Sequence, residues 1–327
     1  MKRTILSFIL IASILGCTSI ETTDTNISLT KTSNGLSIVS FNSFLNQLIP
    51  GDANTLTLVV ANGGEGKAEN ITATLFNFGS GFQNITPETI DMNGYLATNS
   101  GVKGLYLNPE DSASFIWEIK AKNRDVVKAT TTYSPKARVC YSYSTHSIAD
   151  LFLTDKLWKG TLPTLSSSST KSPVEIQITS RAPIRGNTIN ESLTFDVTFP
   201  DSSSGYIAEG NGAVVGKRDY LQSFSIKIPK GDSNIEVVDL DLVTNTITQD
   251  SWSCSINSNS YECFISNPND LYLVQGKSRK FRIAFDTLNI PSSDFEQTYK
   301  IEATAVYKHC ITTETSPVIT ILVEDIY

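Results

Sequence analysis

The sequence predicts an all-β chain built as two tandem β-sandwiches. Three observations carry this. Short runs of β-branched and aromatic residues alternate with Gly, Pro, Asn and Ser turns. No window of a dozen residues holds a 3.6-residue apolar period. One half of the chain repeats the other.

The runs come first. Leu56–Val60, Phe115–Ile119, Leu193–Val197, Phe224–Ile228 and Phe281–Phe285 are short and either alternate or are apolar throughout. Alternation places one set of side chains in a core and the other towards water. Strands of this length, separated by turn residues, suit sandwiches better than any helical layer.

The repeat comes next. Leu36 and Ile38 match Val174 and Ile176, and Leu56-Thr57-Leu58 matches Leu193-Thr194-Phe195. Leu105-Tyr106-Leu107, Ser112 and Phe115 match Leu271-Tyr272-Leu273, Ser278 and Phe281 without a gap. Further on, Cys140 aligns with Cys310, and Leu151–Leu153 with Ile321–Val323. The spacing widens once, so the second half is expected to carry an insertion within 200–270. The expected organisation is a leader at 1–16, a tether at 17–33, a first sandwich at 34–160, a Ser-rich linker at 161–172 and a second sandwich at 173–327.

The turn chemistry of the first half is specific. Pro50-Gly51-Asp52 precedes an alternating strand, which ends in Asn62-Gly63-Gly64. Gly66, Ala68 and a second strand, Asn70–Leu75, follow. This resembles the opening of CARDB-type immunoglobulin-like modules. The resemblance covers about residues 35–77, and Phe199-Pro200-Asp201 departs from it in the second half. It implies an immunoglobulin-like first domain of the kind found in exported surface proteins of bacteria and archaea, which bind, space or adhere; the second such domain is expected from the internal repeat. It implies no ligand.

The N-terminus agrees with export. Lys2 and Arg3 precede an apolar run from Ile5 to Leu15, too short for a bilayer but suited to a signal peptide. Ile14-Leu15-Gly16-Cys17 resembles a lipobox, with Leu15 in place of the usual small residue, so Cys17 is the expected lipid site. Two acyl chains would give a stable membrane anchor. A plain signal peptide is the alternative. The protein is then expected on the outer face of the cell membrane or the extracellular surface.

Composition narrows the function. The 327 residues carry a net charge of −7, which becomes −9 once Lys2 and Arg3 are removed with the leader. This argues against nucleic-acid binding, which needs a basic footprint. Two His exclude a His-rich metal centre, and no cofactor is expected. Nothing resembles Gly-x-Ser-x-Gly, His-Glu-x-x-His or a phosphate loop.

The remaining candidates are few. A hairpin turning at Asn257–Ser260 would set Cys254 opposite Cys263, within reach of a disulfide. Cys140 and Cys310 read most simply as small buried residues in core strands; a bond between them requires the modules to meet there. Trp158 and Trp252, at polar edges, are candidates for a glycan platform, with core-edge packing as the alternative. Asp239 and Asp241, on one strand face near the Gly231–Asn234 loop, are weak calcium candidates against a solvated face. The expected function is non-enzymatic: an adhesion, binding or spacer module whose partner is an envelope protein or a glycan. The alternatives are a surface-layer or filament subunit assembling by strand addition, hence a homo-oligomer, and a glycan- or solute-binding accessory protein.

Overall fold

The computed structural model describes residues 34–323 except 87, 91–95, 100–104, 155–164, 181–183, 190, 201–203, 209–218, 231–234, 243–251, 266 and 290–295. At 84–86, 88–90, 96–99, 235–242, 268 and 296 it describes the backbone alone. The leader, Cys17, the tether and Trp158 therefore lie outside the described residues.

The first half contains β1 (Leu36–Ser43), β2 (Gln47–Leu48), β3 (Ala53–Asn62), β4 (Glu69–Phe76), β5 (Phe82–Thr86), β6 (Glu88–Ile90), β7 (Leu96–Asn99), β8 (Ser112–Ala121), β9 (Thr131–Tyr133) and β10 (Lys136–Thr154). The second contains β11 (Ser167–Ser169), β12 (Glu175–Ser180), β13 (Glu191–Thr198), β14 (Tyr206–Ile207), β15 (Leu221–Pro229), β16 (Ile235–Leu242), β17 (Trp252–Ile256), β18 (Ser260–Ile265), β19 (Ser278–Thr287), β20 (Glu296–Thr312) and β21 (Ile319–Ile321). The chain is all-β and sandwich-built. Among the described residues no helix is long and apolar enough to cross a membrane.

Each half has its own four-stranded sheet, ordered β1-β3-β8-β5 in the first and β12-β13-β19-β16 in the second. The internal repeat is visible in their registers. Ile38 lies opposite Val60 and Leu58 opposite Phe115; their counterparts Ile176 and Phe195 lie opposite Val197 and Phe281. Matching apolar residues thus occupy matching rungs, and their alternation buries Leu56, Leu58, Trp117, Leu193, Phe195 and Phe281 completely.

The other layer is shared. One ten-stranded sheet has a main path β17-β18-β15-β20-β10-β4-β7-β6, with β11 on β10 and β14 on β20. Its centre is the antiparallel pairing of β10 with β20, from Arg138↔Thr312 to Thr154↔Glu296. Both strands are far longer than the usual five or six residues. β10 alternates strictly: Ala137, Val139, Tyr141, Tyr143, Ala149, Leu151 and Leu153 face inward and are buried. One buried apolar cluster consequently runs from Leu36 in the first half to Ile321 in the second.

Three features differ from the sequence expectation. Residues 200–270 are no appendage, because β15 and β16 occupy the places that β4 and β5 hold in the first half. Chain spacing shows where a match breaks, and says nothing about where the extra residues go. The Ser-rich stretch carries β11, whose Ser169 and Ser167 hydroxyls accept the Ile176 and Ile178 N–H groups at 3.4 and 3.0 Å. Serine here closes the edge of β12 while its backbone pairs with β10. Third, β21, near the chain end, crosses to the first half and lies parallel to β2 and antiparallel to β9.

Candidate binding face

The pairing of β10 with β20 creates an inner and an outer surface, and four inward residues towards its Arg138 end show how the inner one is built. Inward, Tyr141 lies opposite His309 and Tyr143 opposite Tyr307. The Tyr141 hydroxyl accepts the Leu36 N–H at 2.9 Å, and the Tyr307 hydroxyl accepts the Val174 N–H at 3.2 Å. Leu36 and Val174 are the repeat-matched starts of β1 and the β12 segment. Tyr141 and Tyr307 are therefore counterparts, each pinning the start of its own half.

This corrects the sequence alignment at its last step. With Tyr141 matched to Tyr307, the ungapped match that begins at Leu105 and Leu271 continues through β10 and β20. Cys140 then corresponds to Val306, and Cys310 to Ser144. The two Cys are partners rather than counterparts: they face each other across the pairing, Cα–Cα 4.1 Å, and form a disulfide. The reading of each as a plain buried hydrophobe is overturned because the two halves meet there. Cys254 and Cys263 are also bonded, opposite each other in the β17–β18 hairpin with Cα–Cα 4.1 Å.

The inner cluster is held by side-chain hydrogen bonds across the junction. The Tyr141 hydroxyl, which accepts the Leu36 N–H, also lies 2.8 Å from His309 Nδ1. Burial pulls the His309 imidazole down to about 4, against a smaller upward pull from the Ser204 carbonyl. The Phe199 ring lies 5.7 Å from the same imidazole, tilted by 55°. Thr145 bridges the halves on the other side: its hydroxyl lies 3.0 Å from Tyr307 Oη, 2.8 Å from Ser172 Oγ and 3.0 Å from the Val174 carbonyl. Burial raises the Tyr141 and Tyr307 phenols well above their usual value and pushes Tyr143 up to about 12. All three stay protonated and can donate. Gly35 allows the close approach: at φ +142°, its added Cβ would meet Pro173 Cγ and Tyr141 Oη at 2.7 Å.

The outer face of the shared sheet is broad and polar. One rung runs Ser253, Phe264, Ser225, Thr304, His146 across five strands. The next runs Ser255, Glu262, Lys227, Glu302, Ile148. His146 is held between Ser144 Oγ at 3.2 Å and Thr304 Oγ1 at 3.0 Å. Lys227 reaches Glu262 at 3.7 Å. Phe264 and Ile148 expose 46% and 42% of their surface, so apolar groups stand among the charges. A shallow groove of about 430 Å³ follows these rungs. A second, of about 760 Å³, runs between Glu65, the Ser-rich stretch and the β12 edge.

The residues singled out from sequence fall elsewhere. Trp252 is half-buried, edge-on to Phe224 at 6.3 Å and Phe281 at 6.1 Å, so it packs against the core and offers no open ring. Trp158 lies outside the described residues. Asp239 and Asp241 sit on β16 opposite Ala284 and Arg282, with the backbone alone described; the Gly231–Asn234 loop lies outside. Phe264 and Ile148 went unread, though alternation gave a signal: each sits between buried neighbours and must point outward.

No family model matches the chain, and no curated protein matches it. Among solved structures, the collagen adhesin CNA from S. aureus is 9% identical, with 89% of this chain and 97% of that chain covered and a TM-score of 0.21. The Enterococcus faecalis MSCRAMM ACE is 9% identical, covering 88% and 98%, at 0.20. The C-terminal domain of the Streptococcus pyogenes antigen I/II-family protein AspA is 8% identical, covering 88% and 98%, at 0.19. Scores this low pass no ligand to this chain.

Proposed function

We propose that this chain is a non-enzymatic, exported surface protein. It is anchored by lipid on Cys17 after removal of residues 1–16, and it binds an envelope or extracellular partner. The observation that carries this reading is the pair of disulfides, Cys140–Cys310 and Cys254–Cys263, inside an all-β body. Such bonds persist in oxidising compartments and are rare in the cytosol. The leader pattern at 1–17 supports the same address. The outer face of the shared sheet supports binding, since Phe264 and Ile148 among Lys227, Glu262, Glu302 and His146 combine apolar contact with polar selection.

The test uses cells producing the full chain, fed a labelled fatty acid, with wild type beside Cys17→Ser. Wild type is expected to take up the label and to be digested by protease added to intact cells. Cys17→Ser is expected to lose the label. An unlabelled, protease-protected wild-type chain with reduced cysteines contradicts the reading, as does turnover of a polymer substrate.

A further inference from the structure

We propose that the slot between β2 and β9 also accepts the C-terminal strand of a second copy of this chain, so that copies join by exchanging β21. Among the described residues, β2 and β9 pair with β21 and with no other strand. The first half thus presents an acceptor that only an added strand completes. The donor comes from the second half. Ile319 and Ile321 are fully buried in the slot, while Thr320 between them meets Thr132, hydroxyl to hydroxyl, at 3.1 Å. The Thr320 N–H donates to the Asn46 carbonyl at 2.9 Å, the Leu322 N–H to the Leu48 carbonyl at 2.8 Å, and the Val323 N–H to Thr130 Oγ1 at 3.0 Å. Recognition thus consists of a backbone ladder and two apolar anchors, the usual terms of strand addition.

Nothing in those contacts distinguishes a chain's own strand from the identical strand of a neighbour. The link between β20 and β21 is the six-residue stretch 313–318. Thr313 is fixed at its start, donating its N–H to the Ala137 carbonyl at 2.9 Å. Pro317 has no N–H to give. Fully extended, six residues reach about 20 Å, far enough for a detached strand to enter an adjacent molecule. The positions bordering the slot are apolar and exposed: Phe44 at 82%, Ile49 at 55% and Val318 at 55%. A second copy seated there would cover them. Exchange of an identical element between protomers costs little, because the contacts made equal those broken.

Two chains of different tag length test this, both carrying Cys17→Ser and keeping the two native disulfides, one with Thr132→Cys added and the other with Thr320→Cys. They are unfolded, mixed, refolded at high concentration and oxidised. Exchange places position 320 of one chain against position 132 of the other, so a disulfide-linked heterodimer is expected at about tenfold excess over either homodimer, falling as the mixture is diluted before refolding. The double variant Thr132→Cys/Thr320→Cys, refolded dilute, should link within one chain. No heterodimer excess at any concentration overturns the proposal, and so does a double variant that fails to link internally.

Discussion

Replacing Cys140 and Cys310 with Ala will lower the unfolding free energy by about 3–5 kcal/mol. The bond joins residues 170 apart in sequence, and the chain-entropy relation gives about 5 kcal/mol for a loop of that size. The lower figure allows for residual order in the unfolded chain. Cys254–Cys263 spans 9 residues and closes a hairpin that its turn already favours; the same relation gives it under about 3 kcal/mol. Equilibrium denaturation in urea checks the comparison. The Cys140/Cys310 variant should show the larger fall in midpoint, with a steeper slope, because the unfolded chain freed of its long cross-link exposes more surface. Equal falls for the two pairs would mean that the long-range bond does not link the halves.

Acidification will destabilise the protein through His309, by about 3 kcal/mol in full. In the unfolded chain this imidazole titrates near its ordinary value of about 6.5; in the folded chain it is pulled down to about 4. Between these values the unfolded state holds a proton that the folded state refuses, so stability rises with pH across the window. The contribution is complete above about 6.5 and is lost as pH falls towards 4. The structural reason is burial: His309 is 2% exposed, and a charged imidazole there would lose its hydration. Denaturation of wild type and His309→Gln at pH 7.5 and 4.5 isolates the effect, because carboxylates common to both cancel. Wild type should lose about 2–3 kcal/mol more than the variant between the two pH values. Parallel curves would remove His309 from the junction's energetics.

Much of the fold was legible because local pattern and internal repetition both report on it. Leu56–Val60, Phe115–Ile119, Leu193–Val197 and Phe281–Phe285 lie inside β3, β8, β13 and β19, and the repeat-matched residues occupy the same rungs. The hairpin at Cys254 and Cys263 was legible because a turn of a few residues sets its own register. The union of the halves was hidden. Backbone N–H and C=O groups along the edge of β10 carry no mark of the partner they will meet, so the period of β10 gives its buried side and not its neighbour. Aligning Cys140 with Cys310 concealed the better signal, the repeated tyrosines at 141 and 307. The binding face was hidden for a related reason: Phe264, Lys227, Thr304 and His146 come from four strands distant in sequence, and only their lateral order makes a surface.

The two repeats form one body, joined through β10, β20 and the Cys140–Cys310 bond. A specific protease site placed between residues 159 and 160 puts this to the test. After complete cleavage, oxidised protein should run as one full-length band in denaturing gels and split into two bands when reduced; under native conditions it should elute as one species even with reductant. Two separate fragments without reductant would mean that the halves are independent bodies.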